Sequence, residues 1–213
     1  MFKMDKKTMI LSSIVILIPL LIGMAFWNRL PDIMATHFGF DNEANGFSSK
    51  PFAVIGIPLI LLGLHWLASM VTLRDPKVQN AGRRMQRLVL WIVPVVSVIC
   101  AVTIYTYNLG IKLNFTYMGE IFLGMMFVIV GNYLPKTRQN FFIGIRIPWT
   151  LADEQNWNRT HRLAGFLWVA CGLLLLILTL TGLIQPQMAV WICVGAVCIP
   201  CLYSFRLSWK GGM

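Results

Sequence analysis

Apolar runs of membrane length alternate with short polar segments along the whole chain. Each run is long enough to cross a bilayer core of about 30 Å as a helix. The first run is longer than the apolar core of a signal peptide and ends without a small-residue cleavage pattern, so it counts as a span. The pattern predicts an all-α membrane protein with six transmembrane helices. The predicted spans are residues 9–27, 52–73, 88–109, 115–133, 163–184 and 188–205.

The composition agrees with this pattern. Of the 213 residues, 57% are hydrophobic and only 12% are charged, whereas a soluble domain typically carries about twice that charge. The formal net charge of +10 comes from Lys and Arg residues that lie in alternate loops rather than on one amphipathic face. We therefore expect no direct nucleic-acid partner and interpret the basic residues as orientation signals.

The basic residues are divided unequally between the two sides of the predicted bundle. Fifteen of the 18 Lys and Arg residues fall in the amino tail, the 74–87 loop, the 135–162 loop and the carboxyl tail. The other side holds only Arg29, Lys50 and Lys112. Under the positive-inside rule both termini are predicted to be cytoplasmic, and the 24-residue loop 1, residues 28–51, is predicted to lie outside the cell.

The longest polar interruption of the C-terminal half covers residues 131–162. Pro148 biases Ile147 away from helical geometry, so the chain is expected to turn there. Thr150 followed three residues later by Asp153 has the form of a capping box, which predicts a helix that begins directly after Thr150. The sequence thus predicts a cytoplasmic, juxtamembrane amphipathic segment before the fifth span.

The residues of this predicted helix suggest two interpretations. Asp153, Trp157 and His161 are spaced i, i+4, i+8, so they lie on one stripe that we expect to face Arg146 across the turn. The plainer interpretation is a helix whose Arg and Trp side chains anchor it in the lipid headgroup layer. With Glu154 the segment offers an acid, a base and a cation but no evident nucleophile, so an enzyme is the less favoured class.

A family resemblance lies in the same stretch. The order G-N-x-L-P-K-x-x-x-N-x-x-I-G-I-R-x-P-W-T-L over residues 131–151, followed by Trp157 and His161, resembles the signature of SdpI-type bacteriocin-immunity membrane proteins. The order and spacing are specific. Ile147 departs from the pattern, because many members carry Thr at that position.

A second match lies upstream. Leu30-Pro31, His37-Phe38-Gly39 and residues 45–50 are similar to the small domain of unknown function that commonly precedes this core. Together the two matches cover most of the chain. They divide it into an N-terminal two-span unit, residues 1–73, and an SdpI-like four-span core, residues 74–213.

The resemblance implies a multi-span protein of the bacterial plasma membrane that protects the cell from a secreted, membrane-active antimicrobial peptide. The founding example also holds a cytoplasmic transcriptional repressor at the membrane. The implied partners are therefore membrane lipids, an extracellular peptide and such a repressor, and no cofactor is implied. The implied core site comprises Asn132, Pro135, Asn140, Gly144, Arg146, Pro148, Trp149, Thr150, Trp157 and His161, with Asp153 and Glu154 beside them. The implied outer element comprises His37, Gly46 and Lys50.

The predicted outer loop has two interpretations. Asp32, Asp41 and Glu43 make it slightly acidic, and its middle is rich in residues that favour turns. It is either a compact, turn-rich connector or a receptor surface for a cationic or amphipathic peptide. His37, Asp41 and Glu43 match no common metal-ligand spacing, so no metal site is predicted.

Two ionisable residues lie inside predicted spans and are functional candidates for that reason. Glu120 lies roughly 8 Å and His65 about 20 Å below the outer ends of their spans, so we expect no direct proton relay between them. Glu120 is expected to pair with Arg29 or Lys112, or to line an outward-facing cavity. His65 is expected to be a hydrogen-bonded packing residue.

The sequence signals for other function classes are weaker. All five cysteines fall inside predicted spans, which argues against a disulfide framework or a zinc site. The chain has no phosphate-binding glycine loop, nucleophile elbow or HExxH motif. A transporter of a small molecule, lipid or peptide, or a membrane-embedded enzyme, remains the alternative, and Glu120 would matter most for it.

Residues 141–147 either dip into the bilayer as a re-entrant segment or lie flat at the interface.

Overall fold

The computed structural model describes residues 6–39, 41–74, 83–111, 113–141 and 143–210. Most of these residues lie in α-helices, which we number in chain order. The bounds are Lys6–Ala25 (α1), Ile57–Arg74 (α2), Arg83–Asn108 (α3), Phe115–Tyr133 (α4), Pro148–Ala152 (α5), Glu154–Leu180 (α6) and Pro186–Lys210 (α7). Short 3-10 helices cover Trp27–Arg29 and Leu134–Lys136, and a π-helical turn, Phe52–Gly56, leads into α2.

Six helical segments of the described chain are long and apolar enough to cross a membrane, which confirms the predicted number of spans. Between 22% and 28% of each apolar window is buried inside the protein, so most of its side chains point outward. Such a surface suits lipid as the surrounding solvent. Most of the basic 74–87 loop and of the amino tail lies outside the described residues. The candidate spans are Lys7–Ala25, Phe52–Val71, Leu90–Asn108, Phe115–Lys136, Glu154–Leu180 and Gln187–Trp209.

The loop of residues 28–51 contains a β-hairpin that the sequence did not predict. Strand β1, Ile33–Phe38, pairs antiparallel with strand β2, Ala44–Ser49, and the register places Ala35 opposite Phe47. The turn closes through a hydrogen bond of 2.9 Å from the Gly39 N–H to the Glu43 carbonyl oxygen. The loop is therefore a small ordered sheet as well as a connector between two helices.

The first of two compact units groups α1, the hairpin, α2 and most of α3. Its buried core contains Leu30, Met34, Val54 and Ile104, which come from the loop, β1, the π-helical turn and α3. Tyr105 adds a hydrogen bond of 2.9 Å from its hydroxyl group to the Pro19 carbonyl oxygen inside α1. The hairpin thus packs on the helices of its own unit instead of projecting freely.

The second compact unit contains nearly all of α4 together with α5, α6 and α7, and α4 and α6 approach closely at glycines. Gly124 and Gly131 on α4 face Gly172 and Gly165 on α6. A Cβ atom on Gly172 would lie 2.6 Å from the Gly124 carbonyl oxygen, and one on Gly165 would lie 2.7 Å from the Gly131 carbonyl oxygen. The two glycine pairs are seven residues apart, which is about two helical turns, so they lie on one face of each helix. We call this line of close contact between α4 and α6 the glycine seam.

Helix α7 packs on the same unit through apolar and polar contacts. Leu175 on α6 and Ala196 on α7 are buried together with Phe127 of α4. The Trp168 indole N–H donates to the Ala196 carbonyl oxygen at 2.9 Å, and its ring meets Phe127 edge-on at 5.0 Å. These contacts complete a three-helix packing around the glycine seam.

Compactness and family resemblance divide the chain differently. By compactness α3 joins the first two membrane-length helices, whereas the predicted boundary between residues 73 and 74 places it in the four-span core. The two criteria answer different questions, because packing reports spatial neighbours and resemblance reports common sequence patterns. The 1–73 and 74–213 division stays a prediction.

The glycine seam leads to a stability prediction. Gly172→Ala and Gly124→Ala are expected to lower the free energy of unfolding by about 1–3 kcal/mol each, since the added methyl groups meet backbone oxygen or Leu176 atoms at close range. Gly119→Ala on the same helix α4 is the matched control, because no atom lies within 4 Å of its added Cβ. The thermal unfolding midpoint of the purified protein in detergent micelles measures the difference. Equal midpoints for the seam and control variants would contradict the close approach.

Candidate functional site

The chain between α4 and α6 is held together by side chains rather than by secondary structure. Asn140, 1% exposed, accepts a hydrogen bond of 2.7 Å from the Ile143 N–H. Its amide nitrogen donates to the carbonyl oxygens of Arg138 at 2.8 Å and Ile143 at 3.0 Å. A short polar side chain therefore closes this irregular loop from the inside, as Asn often does in turns.

A second group of contacts ties the loop to the helices that follow. The indole N–H of Trp157, which is fully buried, donates to the Thr137 carbonyl oxygen at 2.7 Å. The Gln139 amide donates to the carbonyl oxygens of Thr150 at 2.9 Å and Leu151 at 3.0 Å. The loop is thus fastened both to α6 and to the short helix α5.

His161 lies at the centre of this arrangement, stacked on Trp157 with ring centroids 3.9 Å apart. Its Nδ1 atom is 2.9 Å from the Trp157 carbonyl oxygen, and its Nε2 atom is 3.0 Å from the Ile145 backbone nitrogen. A carbonyl oxygen accepts and a backbone N–H donates, so Nδ1 carries the proton and Nε2 carries none. His161 is therefore neutral, and both of its ring nitrogens are already engaged.

Gly144 passes directly beside this ring. Its φ of +119° is a conformation that L side chains rarely adopt. A Cβ at this position would overlap His161 Nε2 and would lie 3.2 Å from Trp157 Cη2. The glycine is required both by its backbone angle and by the contact between the loop and the ring.

The predicted capping box is wrong, and the reason is local. Ile147 is extended, with φ −110° and ψ 157°, but α5 already begins at Pro148. Thr150 lies inside α5, where its hydroxyl oxygen accepts from the Ile147 N–H at 3.1 Å and donates to the Ile145 carbonyl oxygen at 2.8 Å. Asp153 caps α6 instead, because its carboxylate accepts from the backbone N–H groups of residues 155 and 156.

Arg146 does not face the predicted stripe. Its guanidinium is exposed and donates to the Phe141 carbonyl oxygen at 2.9 Å. Within the described ranges, the ion pairs do not include one from Arg146 to Asp153 or Glu154, and both acids are exposed. Trp157 and His161 are buried, so the stripe faces the interior while Arg146 remains a surface cation.

The other signature residues have varied surroundings. Asn132 and Pro148 are exposed, and the Pro135 ring packs against Gly165 of α6. Trp149 meets the Phe205 ring edge-on at a centroid distance of 5.4 Å. Its buried indole N–H has no hydrogen-bond partner among the described residues. This unused donor distinguishes Trp149 from the other tryptophan of the site.

A buried polar cluster beside the site was missed by sequence reasoning. Asn156, 2% exposed, donates to the Ser204 carbonyl oxygen at 3.0 Å, and its own oxygen accepts from the hydroxyl groups of Thr160 and Ser204. The cluster joins the start of α6 to the end of α7. The available signal was the i, i+4 spacing of Asn156 and Thr160, which places two polar side chains on one helical face.

The predicted outer residues all lie on or beside the hairpin. His37 bonds the Asn45 side chain across the strands, and a Cβ on Gly46 would lie 2.7 Å from His37 Cβ. Asp41 is exposed in the turn. Lys50 is buried at the base, where its ammonium lies 2.9 Å from the Asp32 carboxylate. Within the described residues, no His, Cys, Asp and Glu cluster has the arrangement of a metal site.

The two intramembrane candidates lie in separate surroundings. His65 on α2 is 1% exposed, and its Nε2 atom is 2.8 Å from the Ser12 hydroxyl oxygen on α1. Glu120 on α4 is 8% exposed, and the buried hydroxyl of Thr179 on α6 faces it. Lys112 lies outside the described residues, and the proposed pairing of Glu120 with a cation stays a prediction.

The geometry favours a structural and recognition role for this site over acid-base chemistry. The imidazole has no free nitrogen, the acids do not converge on it, and the described segment has no activated nucleophile. Among the exposed cations of this stretch, Arg146 is held in place by a backbone carbonyl group.

Comparison with known proteins supports the resemblance found in the sequence. Residues 136–205 match the model of the SdpI/YfhL protein family, and residues 14–62 match a domain of unknown function, DUF1648. The chain is 25% identical over 177 residues to Immunity protein SdpI of Bacillus subtilis (strain 168), which covers 81% of this chain and 82% of that relative. No solved structure matches the chain.

The environment of Gly144 leads to a prediction for the site. Gly144→Ala is expected to lower the free energy of unfolding by more than the roughly 1–3 kcal/mol of backbone strain alone, since the methyl group also overlaps the His161 ring. Gly182→Ala is the control, because Gly182 also has a positive φ, +70°, but nothing lies within 4 Å of its Cβ position. Thermal unfolding of both variants compares a positive-φ glycine beside the ring with one in open space. A Gly144 variant no less stable than the Gly182 variant would exclude the contact.

Proposed function

We propose that this chain, in which an SdpI/YfhL segment follows a DUF1648 segment, is a membrane immunity protein that protects a bacterium against a secreted, membrane-active peptide. The observation that carries the proposal is the similarity to an immunity protein over four fifths of both chains, 81% and 82%. The two family matches contain the whole outer loop and most of the 131–162 stretch. Six membrane-length helices agree with this role.

The proposed orientation places both termini and the α4–α6 connection in the cytoplasm and the hairpin outside. Its support is the distribution of Lys and Arg, fifteen of 18 on one side. The hairpin is then the part of the protein that an arriving peptide meets first. Arg146 and the half-exposed Phe141 ring, at 50% exposure, become the inner surface.

Protection and signalling place different demands on the protein. In this proposal protection requires that the peptide binds, that it is held away from the bilayer, and that the segment around Arg146 and Trp149 is intact. Signalling to a cytoplasmic repressor requires two states of the protein that bind the peptide with different affinity, since otherwise nothing is transmitted. Arg146 is the group that we propose for repressor contact, because it is exposed and its guanidinium is oriented by the Phe141 carbonyl oxygen.

One observation favours a second function, transport. Glu120 is a carboxyl group with 8% exposure inside a candidate span, and the Thr179 hydroxyl that faces it is 1% exposed. Buried polar groups of this kind often mark ion or substrate pathways in membranes. A binding protein does not need a titratable carboxyl group there, whereas a cation-coupled transporter does.

A survival assay tests the immunity role. Expression of the parent chain in a sensitive bacterium is expected to raise survival against at least one cationic, pore-forming peptide of a panel. Arg146→Ala and Trp149→Ala are expected to reduce survival to the vector-only level at equal membrane abundance, because they remove the exposed cation and the indole with the unused donor. Arg162→Ala, an exposed cation on α6, is the control and should protect like the parent.

The same assay separates the two functions. Glu120→Gln keeps the size of the side chain and removes its charge, so an immunity protein is expected to protect as well as the parent. Loss of protection with Glu120→Gln and retention with Arg146→Ala would favour the transporter. Survival at the vector-only level against every peptide would contradict the immunity role.

Thiol labelling tests the orientation. In a background without the five native cysteines, Asn158→Cys on α6 and Ser49→Cys on β2 provide exposed reporters, one for each side of the proposed topology. A membrane-impermeant maleimide is expected to label residue 49 in intact cells and residue 158 only after lysis. Labelling of residue 158 in intact cells would reverse the proposed orientation.

A further inference from the structure

The two edges of the hairpin have different surroundings. On β1, the Ala35 N–H donates to the Asn108 side-chain oxygen at 2.9 Å, and the Asn108 amide donates to the Ala35 carbonyl oxygen at 2.9 Å. Asn108 is the last residue of α3. Its amide thus pairs with Ala35 as a neighbouring strand would, and it closes the β1 edge at this point.

This pairing fixes the direction of the backbone groups on β2. Because Ala35 directs both of its groups at Asn108, it exchanges no backbone hydrogen bonds with Phe47, its partner in the register. In an antiparallel ladder such pairs alternate with bonded pairs, and both residues point their groups away from each other. Asp32 and Lys50 lie three positions from Ala35 and Phe47, so the alternation predicts that they form a bonded pair. The Lys50 N–H does donate to the Asp32 carbonyl oxygen, at 2.8 Å.

The N–H and carbonyl groups of Phe47 therefore point to the outer edge of β2. No described residue bonds them, so this edge has the donor and acceptor pattern that another strand would use. The Phe47 side chain is 62% exposed, and Ile33, diagonal to it on β1, is 70% exposed. Diagonal neighbours lie on one face of a sheet, so an apolar pair adjoins the free edge.

Side-chain bonds join the two strands at both ends of the edge, and the turn end carries a charge preference. The Lys50 ammonium bonds the Asp32 carboxylate at the base, and His37 bonds Asn45 near the turn. Asp41 and Glu43 are exposed at the turn, without a counter-ion among the described residues. A strand with apolar side chains on one face and cationic side chains at the end beside the turn fits this edge in both shape and charge.

We propose that the free edge of β2 binds the attacking peptide by β-strand addition, with its backbone paired at Phe47 and its cationic residues beside Asp41 and Glu43. This inference rests on the proposed function and names the docking site for it. Strand addition supplies affinity through main-chain hydrogen bonds, and side chains on alternate positions supply selectivity. A protein of this kind recognises several peptides that share an extended amphipathic form.

The experiment uses the full chain in phosphatidylcholine nanodiscs, with a photo-crosslinking phenylalanine analogue at position 47. The probe is an alternating Lys–Val peptide amide, and the matched probe is the same peptide with its central backbone amides N-methylated. Methylation removes donors and keeps charge and apolar side chains, so crosslinking and affinity are expected to fall at least about tenfold, the effect of roughly 1.4 kcal/mol. Equal binding of the two peptides would overturn strand addition.

Two further outcomes would also overturn it. Crosslinking of position 47 to a second copy of this chain, with no peptide adduct, would show that the edge is a self-association surface. Peptide retention equal to that of empty nanodiscs would show partition into lipid only. A variant provides an independent test. Phe47→Pro lacks the outward N–H but leaves the β1–β2 bonds in place, so its peptide binding is expected to fall. Phe47→Leu is the control and is expected to bind like the parent.

Survival separates this inference from the proposed function. Protection by the parent together with loss of protection by Phe47→Pro would support both. Protection by the parent and by Phe47→Pro alike would overturn the docking site and leave the immunity role standing. Absence of protection by the parent would overturn the immunity role, and the N-methylated probe would still decide whether the β2 edge binds peptides.

Discussion

Backbone polar groups that are buried need partners within the protein, and this constraint governs the chain between α4 and α6. Residues 137–147 form neither helix nor sheet where they are described. Side chains therefore supply the hydrogen-bond partners that regular secondary structure would otherwise provide. Asn140, Thr150 and His161 each bond backbone groups of this segment. A buried polar group left without its partner costs about 1–3 kcal/mol, so each of these side chains is hard to replace.

The glycine seam fixes the distance that this segment has to bridge. Lipid offers no hydrophobic drive for helices to associate, so close van der Waals packing has to hold α4 against α6. Gly131 and Gly165 form the end of the seam that adjoins the segment, and Pro135 packs directly on Gly165. The segment therefore starts and ends on helices in backbone contact, which explains how so short an irregular stretch holds one conformation.

The sequence predicted what depends on long-range periodicity and missed what depends on single contacts. Six apolar runs predict six spans because length and hydrophobicity alone decide them. The hairpin was missed because β1 and β2 alternate weakly and contain Gly46, Ser48 and Ser49, which are also common in loops. Thr150 and Asp153 both suit a helix start, and only the fold shows that α5 ends between them. The partner of Arg146 was not predictable, since it is a backbone carbonyl group that only the turn brings near.

The signature by which this chain resembles the SdpI/YfhL family mostly describes how one segment folds, and that limits which of its residues are available to a partner. Three of its residues are buried, and their polar groups form hydrogen bonds with backbone atoms: Trp157, His161 and Asn140. Arg146 is exposed, and the Trp149 indole N–H is unused among the described residues. Substituting a buried member is expected to destabilise the segment, so loss of function in such a variant would tell nothing about recognition. The surface cation is the residue at which loss of function and loss of fold separate.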